Sequence, residues 1–270
     1  MRYVAQSSLD SGVSTSTTLA IDPKKGSARV LSPAKENCWY LGIDGCPAGW
    51  YAVRRGTATG TITGKVYTRF SDVLADATPS AVIAVDIPIG LRSTGNRSCD
   101  ELARETLAPG RSSSVFPAPL RQVLGAASHP EASAIRRGID GKGMSIQAFA
   151  ITRKVEEVDL ALEEASDHAR RVYEVHPEVC FAKMNRGLPM AFAKKTSAGR
   201  TERLQLLSRA FGGAPVRLVE ERVRNQVGAD DVLDALAALW SAVRIGRDEH
   251  ESLPTIPEHD SRGRRMAIFY

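Results

Sequence analysis

One segment limits the choice of fold more than any other. AVIAVDIPIGL (81–91) is apolar almost without interruption. It suits a strand with both faces buried inside a sheet, and it is far too short to cross a bilayer. The stretches before it read as strands as well. WYLGIDG (39–45), GWYAVRRG (49–56) and GKVYTRF (64–70) follow one another at short spacing across Gly-rich turns, the pattern of a meander. A helix is expected after Ser71, an N-cap for DVLADAT. The opening therefore reads strand, strand, strand, helix, strand.

Residues 92–170 read as mostly helix and loop. SCDELARETL (98–107) has a cap and early acids, GRSSSVFPAPL (110–120) is a Ser/Pro loop, EASAIRRGI is helical, and 145–169 shows apolar residues at helical spacing, including Ile146, Phe149, Val155, Val158 and Leu162. RVYEVHPEVCFAKM (171–184) is a strand that Pro177 breaks before a short helix. TSAGRTERLQLLSRAF (196–211) is an amphipathic helix. DDVLDALAALWSAVRIG (230–246) is a helix so apolar after its first turn that one broad side must be buried. MAIFY (266–270) is expected as an edge strand. Residues 1–36, rich in Ser and Thr, read as a flexible N-terminal leader, and 37–270 as one domain.

Composition narrows the function classes. The 43% hydrophobic and 25% charged content is that of a globular protein, without a secretory signal or a membrane-spanning run, so a cytoplasmic location is expected. The four cysteines (Cys38, Cys46, Cys99 and Cys180) form no CxxC pair and match no zinc spacing. The net charge of +5 is mild but compatible with a phosphate-rich partner; residues 1–36 contribute five basic and three acidic side chains to it.

The acids carry the chemistry. Asp44 ends the first strand, Asp86 lies near the end of the buried strand, Glu174 interrupts another, and Asp230, Asp231 and Asp234 open the most apolar helix. Ionised carboxylates are costly to bury without partners. Parallel strands of an open α/β sheet bring their carboxyl ends to one edge, and residues three apart share a helix face, so Asp231 and Asp234 can both point there. Converging acids repel unless a cation compensates, and Mg²⁺ or Mn²⁺ fits an all-oxygen ligand set. Structural readings stand beside each: a turn for Asp44-Gly45, a loop cap for Asp86, an N-cap for Asp230, and the helix dipole for Asp231.

The segments GIDGCPAGW, VDIPIGL, GRSSSVFPAP, YEVHPEVCFA, KKTSAGR, ADDVLDALAALW and MAIFY, in this order from Trp39 to Tyr270, resemble a bacterial and archaeal family of uncharacterised proteins predicted to be ribonuclease H-like nucleases. The resemblance implies an α/β fold: a ribonuclease H-like mixed five-stranded sheet with helices on both faces and a helical insertion between strands 4 and 5. It implies metal ligation and catalysis by Asp44, Asp86, Asp231 and Asp234, with Glu174 as a further contributor, and hydrolysis of DNA or RNA by two Mg²⁺ or Mn²⁺ ions clamping an in-line displacement.

His176, between Glu174 and Glu178, is a candidate proton shuttle, or a hydrogen-bonded strand-end histidine. Arg111, Lys194 and Lys195 are candidates for gripping phosphate, or ordinary surface charge. Nucleic acid is the expected partner and a membrane is not. A homodimer is compatible with the sequence, which does not specify oligomeric state. The competing readings are an ATP-binding phosphotransferase or ATPase of actin-like fold, whose first phosphate loop GIDGC resembles, and a non-catalytic module that keeps the fold alone. A thiol enzyme using Cys46 is more remote, since no histidine is placed by sequence to activate it.

Overall fold

The computed structural model describes residues 39–165 and 170–270 together with two short strands farther upstream, and the chain divides into two units after Asn37. In the first unit, β1 (Leu19–Ile21) pairs antiparallel with β2 (Ala28–Val30); the leader expected over 1–36 otherwise lies outside the described residues.

In the second unit, β3 (Trp39–Cys46), β4 (Gly49–Gly56) and β5 (Ile62–Tyr67) form the expected antiparallel meander. The β3–β4 turn needs Gly49, which has φ +130° and where a Cβ would lie 2.3 Å from the Tyr67 carbonyl oxygen. Helix α1 (Phe70–Asp76) begins one residue ahead of its predicted cap: Arg69 is the N-cap, with no side-chain cap bond, and Ser71 sits in the first turn.

Strand β6 (Val82–Val85) runs parallel to β3 and is far shorter than the 81–91 expected for it. Its last sheet contact is the Asp86 amide donating to the Ile43 carbonyl at 3.0 Å. Beyond that point Pro88 has no amide to give, Gly90 turns the chain at φ +74°, and side chains rather than a neighbouring strand bind the backbone. The expected insertion follows as α2 (Ser98–Thr106), α3 (His129–Asp140), α4 (Ile146–Ala150) and α5 (Thr152–Glu164). The single helix expected over 145–169 is two, parted at Ile151, and its last four residues lie outside the described residues.

β7 (Val172–Glu174) then lies parallel to β6. After it come α6 (Pro177–Met184), α7 (Ser197–Phe211), α8 (Ala214–Glu221), which the sequence pattern did not separate, and α9 (Ala229–Gly246). The α9 N-cap is Gly228, not Asp230; the Asp231 carboxylate, three residues on, accepts the Gly228 amide at 2.8 Å.

The strand order is β5-β4-β3-β6-β7, with β3, β6 and β7 parallel: the mixed five-stranded sheet of a ribonuclease H-like fold. Alternation along the strands separates two cores. Leu41, Ile43, Trp50, Ala52, Ile83 and Val85 pack against α1 and α5. Tyr51, Val53 and Ala84 face α9, whose Val232–Leu239 stretch is wholly buried. Gly42 belongs to that second face: a Cβ there would lie 2.0 Å from the Leu239 nitrogen and 2.2 Å from the Ala235 oxygen, so α9 rests on bare β3 backbone.

The C-terminal strand corrects one expectation. β9 (Arg265–Phe269) does not extend the central sheet but pairs antiparallel with β8 (Ser252–His259) in a separate, bulged hairpin. Met266 and Ile268 pack against Cys99, Ala103 and Leu107 of the insertion and against Val179 and Ala182 of α6, which draws the strand out of the sheet plane. Among the described residues no helix is long and apolar enough to cross a membrane.

Candidate metal centre

The same alternation that buries the two faces decides which acids meet. Asp44 is two residues beyond Gly42, and Asp86 two beyond Ala84, so both project to the α9 side at the carboxyl ends of their strands. Asp234 lies one turn inside α9, 1% exposed. A ligating oxygen from each of these three acids lies within 4.8 Å of the others. Asp44 is oriented by the Gly45 amide, which donates to its Oδ1 at 2.7 Å.

One cation answers them. Lys194 Nζ donates to Asp234 Oδ2 at 2.6 Å, from the loop after α6. The other oxygen, Asp234 Oδ1, is buried with no hydrogen-bond partner among the described residues. The electrostatics follow. Burial first, then Asp86 and Asp234, raise the Asp44 pKa well above the carboxylate range. Burial and Asp234 push Asp86 up to about 7, with Lys194 opposing. Asp234 is raised by burial, again against the pull of Lys194. For Lys194, burial works against the charge, but Asp234, Asp44 and Asp86 outweigh it and hold the ammonium above the usual lysine range.

The other predicted site residues fall nearby or elsewhere. Asp231 is half-buried, spends its carboxylate on the Gly228 amide, and reaches Asp44 only through its charge. Glu174 does not join the trio. It pairs in register with Val85 and so points to the opposite side of the sheet from Ala84 and Asp86. There both its oxygens take the Arg97 guanidinium at 2.7 Å, and Oε2 also accepts the Ile89 amide. Asp100 binds the same guanidinium, so the ligand atoms of Cys99, Asp100 and Glu174, though close together, already surround a cation.

Arg111 is tied to the Met190 and Ala191 carbonyls and thereby holds the Lys194 loop. Lys195 is exposed at the rim. His176 is the α6 N-cap; its Nε2 is 3.4 Å from the Ser114 carbonyl oxygen, and its Nδ1 is buried without a partner among the described residues. Burial lowers its pKa, which keeps the ring neutral near pH 7.

Asp44, Asp86, Asp234, His176, Lys194 and Glu174 all line one cavity of about 720 Å³ between the sheet edge, the insertion and the Lys194 loop. Sequence reasoning missed several of its walls: Arg97, Asp100, Lys154, and the buried pair Glu178–Arg203. Arg203 left one signal, since it shares the inner face of α7 with Leu206 and Leu207. Arg97 left only its i,i+3 spacing to Asp100, which reads as an ordinary helix-start pair; the partner that buries it at the cavity, Glu174, is 77 residues away.

Sheet order and acidic cluster together define an α/β domain of ribonuclease H-like fold with a candidate carboxylate metal site at the carboxyl edge of its parallel strands. The family described as "Protein of unknown function (DUF429)" matches residues 42–259, and the chain belongs to it. No curated protein matches the chain, and no solved structure does.

Proposed function

We propose that this protein is a metal-dependent nuclease that hydrolyses phosphodiester bonds of DNA or RNA at the Asp44–Asp86–Asp234 cluster. The observation that carries the reading is the convergence of these acids within 4.8 Å, in a buried place where Asp234 Oδ1 has no partner among the described residues. Three carboxylates facing one ammonium leave room for more positive charge, and an all-oxygen donor set suits Mg²⁺ or Mn²⁺ better than zinc. Asp44, Asp86 and Asp234 would hold the ion, and when bound it supplies Lewis acidity towards the phosphodiester.

The chain's own groups supply the rest. Lys194 places positive charge beside the cluster, where a phosphate oxygen gains from it. His176, neutral and lining the same cavity, can accept a proton near pH 7. Arg111 and Arg203 hold the Lys194 loop by its carbonyls, which fixes that ammonium against Asp234. The test is Mn²⁺- or Mg²⁺-dependent cleavage of labelled DNA and RNA by wild type and Asp44→Asn. Loss of cleavage in a variant with unchanged circular dichroism is the expected result; full activity of Asp44→Asn would end the proposal.

A further inference from the structure

The cavity is lined by six acidic and six basic side chains, and half of the cations are already held by acids of the same wall. Arg97 is clasped by Glu174 and Asp100, Arg203 by Glu178, and Lys194 by Asp234. Arg111 gives its Nε and Nη2 to the carbonyls of the Lys194 loop, and Lys195 is exposed. The remaining cation, Lys154 of α5, is half-buried and forms no ion pair among the described residues.

The seat of Lys154 is built by its neighbours. Gly45 pairs in register with Trp50, so both face the α5 side of the sheet, opposite Asp44. Gly45 does not take a positive φ; what it provides is space. A Cβ there would lie 3.0 Å from Lys154 Cδ and 3.1 Å from Cε, so the lysine stem crosses bare backbone one residue beyond Asp44. The ammonium then donates to the Gly49 carbonyl at 2.5 Å and stands 4.3 Å from the centre of the Trp50 ring. Trp50 is itself fixed: its indole N–H donates to Glu157 at 3.0 Å, and its ring meets Phe70 edge-on at 5.2 Å. Neither partner of the ammonium carries a negative charge. Of its three N–H donors, the Gly49 carbonyl takes one.

A cation held in a cavity, with donors to spare and no counter-ion, is prepared for an anion. The Asp trio lies on the α9 side of the β3 end and Lys154 on the α5 side, and both line the same space. Resting on the nuclease reading, we infer that Lys154 is a substrate-binding residue, whose ammonium holds a phosphate of the strand cleaved at the Asp cluster. Seated in advance on Gly49 and Trp50, its side chain loses little freedom when the phosphate arrives. A lysine meets phosphate as a point charge, so the contact carries no base preference.

Fluorescence anisotropy, with Ca²⁺ in place of Mn²⁺, tests this on a labelled DNA strand, the matching RNA strand and the DNA duplex; the tightest binder is titrated against salt. Lys154→Met keeps the apolar stem and removes the charge. It is expected to weaken binding about tenfold and to lower the slope of log affinity against log salt by about 0.7–0.9, the signature of one phosphate contact. Lys154→Arg, which keeps the charge, should retain the wild-type slope. Lys142→Met removes an exposed charge outside the cavity lining and should change neither quantity. Weaker binding of Lys154→Met with an unchanged slope overturns the inference, since Lys154 then merely braces α5 against the β3–β4 turn. An equal loss in Lys142→Met overturns it as well.

Cleavage in Mn²⁺ separates this inference from the reading beneath it. Cleavage by wild type, with Lys154→Met binding as tightly as wild type, overturns the role of Lys154 and leaves the nuclease standing. Lys154-dependent binding without cleavage of any of the three nucleic acids leaves the phosphate contact and removes the nuclease. A wild type that binds none of them overturns both.

Discussion

Lys194 donates to Asp234 at 2.6 Å and so places an ammonium within the trio of acids proposed to take a divalent ion. The two charges compete for the same oxygens. A pair of unit charges about 4 Å apart is worth about 4 kcal/mol at an effective dielectric of 20. Lys194 is 41% exposed, so solvent removes much of that. Lys194→Met is therefore expected to tighten Mn²⁺ binding about tenfold, about 1.4 kcal/mol, by calorimetry. The same change strips Asp234 of its partner, so the metal-free melting temperature falls by about 2–4 °C for each kcal/mol lost, and Mn²⁺ restores it. Weaker Mn²⁺ binding in the variant would show that Lys194 supports the ion rather than opposing it.

Gly42 controls the spacing of the site from a distance. A methyl there would meet backbone atoms of Leu239 and Ala235 at 2.0 and 2.2 Å, which cannot rotate aside, so α9 must lift and carry Asp234 away from Asp44. Overpacking costs about 1–3 kcal/mol where side chains can adjust. Gly42→Ala is expected to cost at least the upper value in urea unfolding and to weaken Mn²⁺ binding. Gly138→Ala, inside α3 where a Cβ meets nothing within 4 Å, should instead stabilise by about 0.5–1 kcal/mol. Near-neutral unfolding of Gly42→Ala would refute the close contact.

What the chain reveals before folding depends on how local the cause is. The meander, the insertion helices and α9 follow from periodicities within each segment, and the acids at strand ends from their apolar surroundings. Glu174 misled because it has the same local look as Asp44. Its face is set by its register against Val85, a partner about 90 residues away that no local pattern encodes. Strand β6 stops at Val85 because Glu174 and Arg97, from other elements, bind the backbone of Ile89. β8, with prolines at 254 and 257, lacks an alternating strand pattern and is defined by its pairing with β9. The sequence leaves Lys194 open between gripping phosphate and surface charge, because its bond to Asp234 joins residues 40 apart and depends on where the loop carrying it lies.

Arg203 and Glu178 form a buried pair joined by three hydrogen bonds of 2.6–3.1 Å, while the Arg203 Nη1 donates to the Phe192 and Gly199 carbonyls. Removing one partner of such a pair leaves a charge stranded, at about 3–5 kcal/mol, whereas replacing both with apolar groups is often neutral. Arg203→Met should therefore unfold at much lower urea than wild type, and Arg203→Met with Glu178→Met should recover most of the loss. In that double variant the amides of residues 190–196 should exchange faster by hydrogen-exchange mass spectrometry, since one tether of the Lys194 loop is gone. Protection equal to wild type would show that Arg111 and Glu202 suffice to hold it.

The cluster also dictates how stability varies with pH. Burial and Asp234 push Asp86 up to about 7, and Asp44 is raised for the same reasons, so folding favours their protonated forms. The unfolded chain releases those protons near pH 4. A raised folded pKa gives a contribution that is complete below the unfolded value and disappears as pH climbs through about 7. His176 acts in the opposite sense: its lowered pKa costs stability only as pH drops through and below its unfolded value of about 6.5. The two effects separate above pH 6.5. In EDTA, the unfolding free energy should therefore fall from pH 6.5 to 8, by up to about 1.4 kcal/mol per pH unit for each proton held by the folded state alone. Mn²⁺ compensates the ionised carboxylates, so its stabilising effect should grow over the same interval. Urea unfolding at half-unit pH steps, with EDTA and with Mn²⁺, measures both. An EDTA profile that stays level from pH 6.5 to 8 would mean that Asp44 and Asp86 are already ionised in the folded protein, and that no crowding of charge awaits a cation.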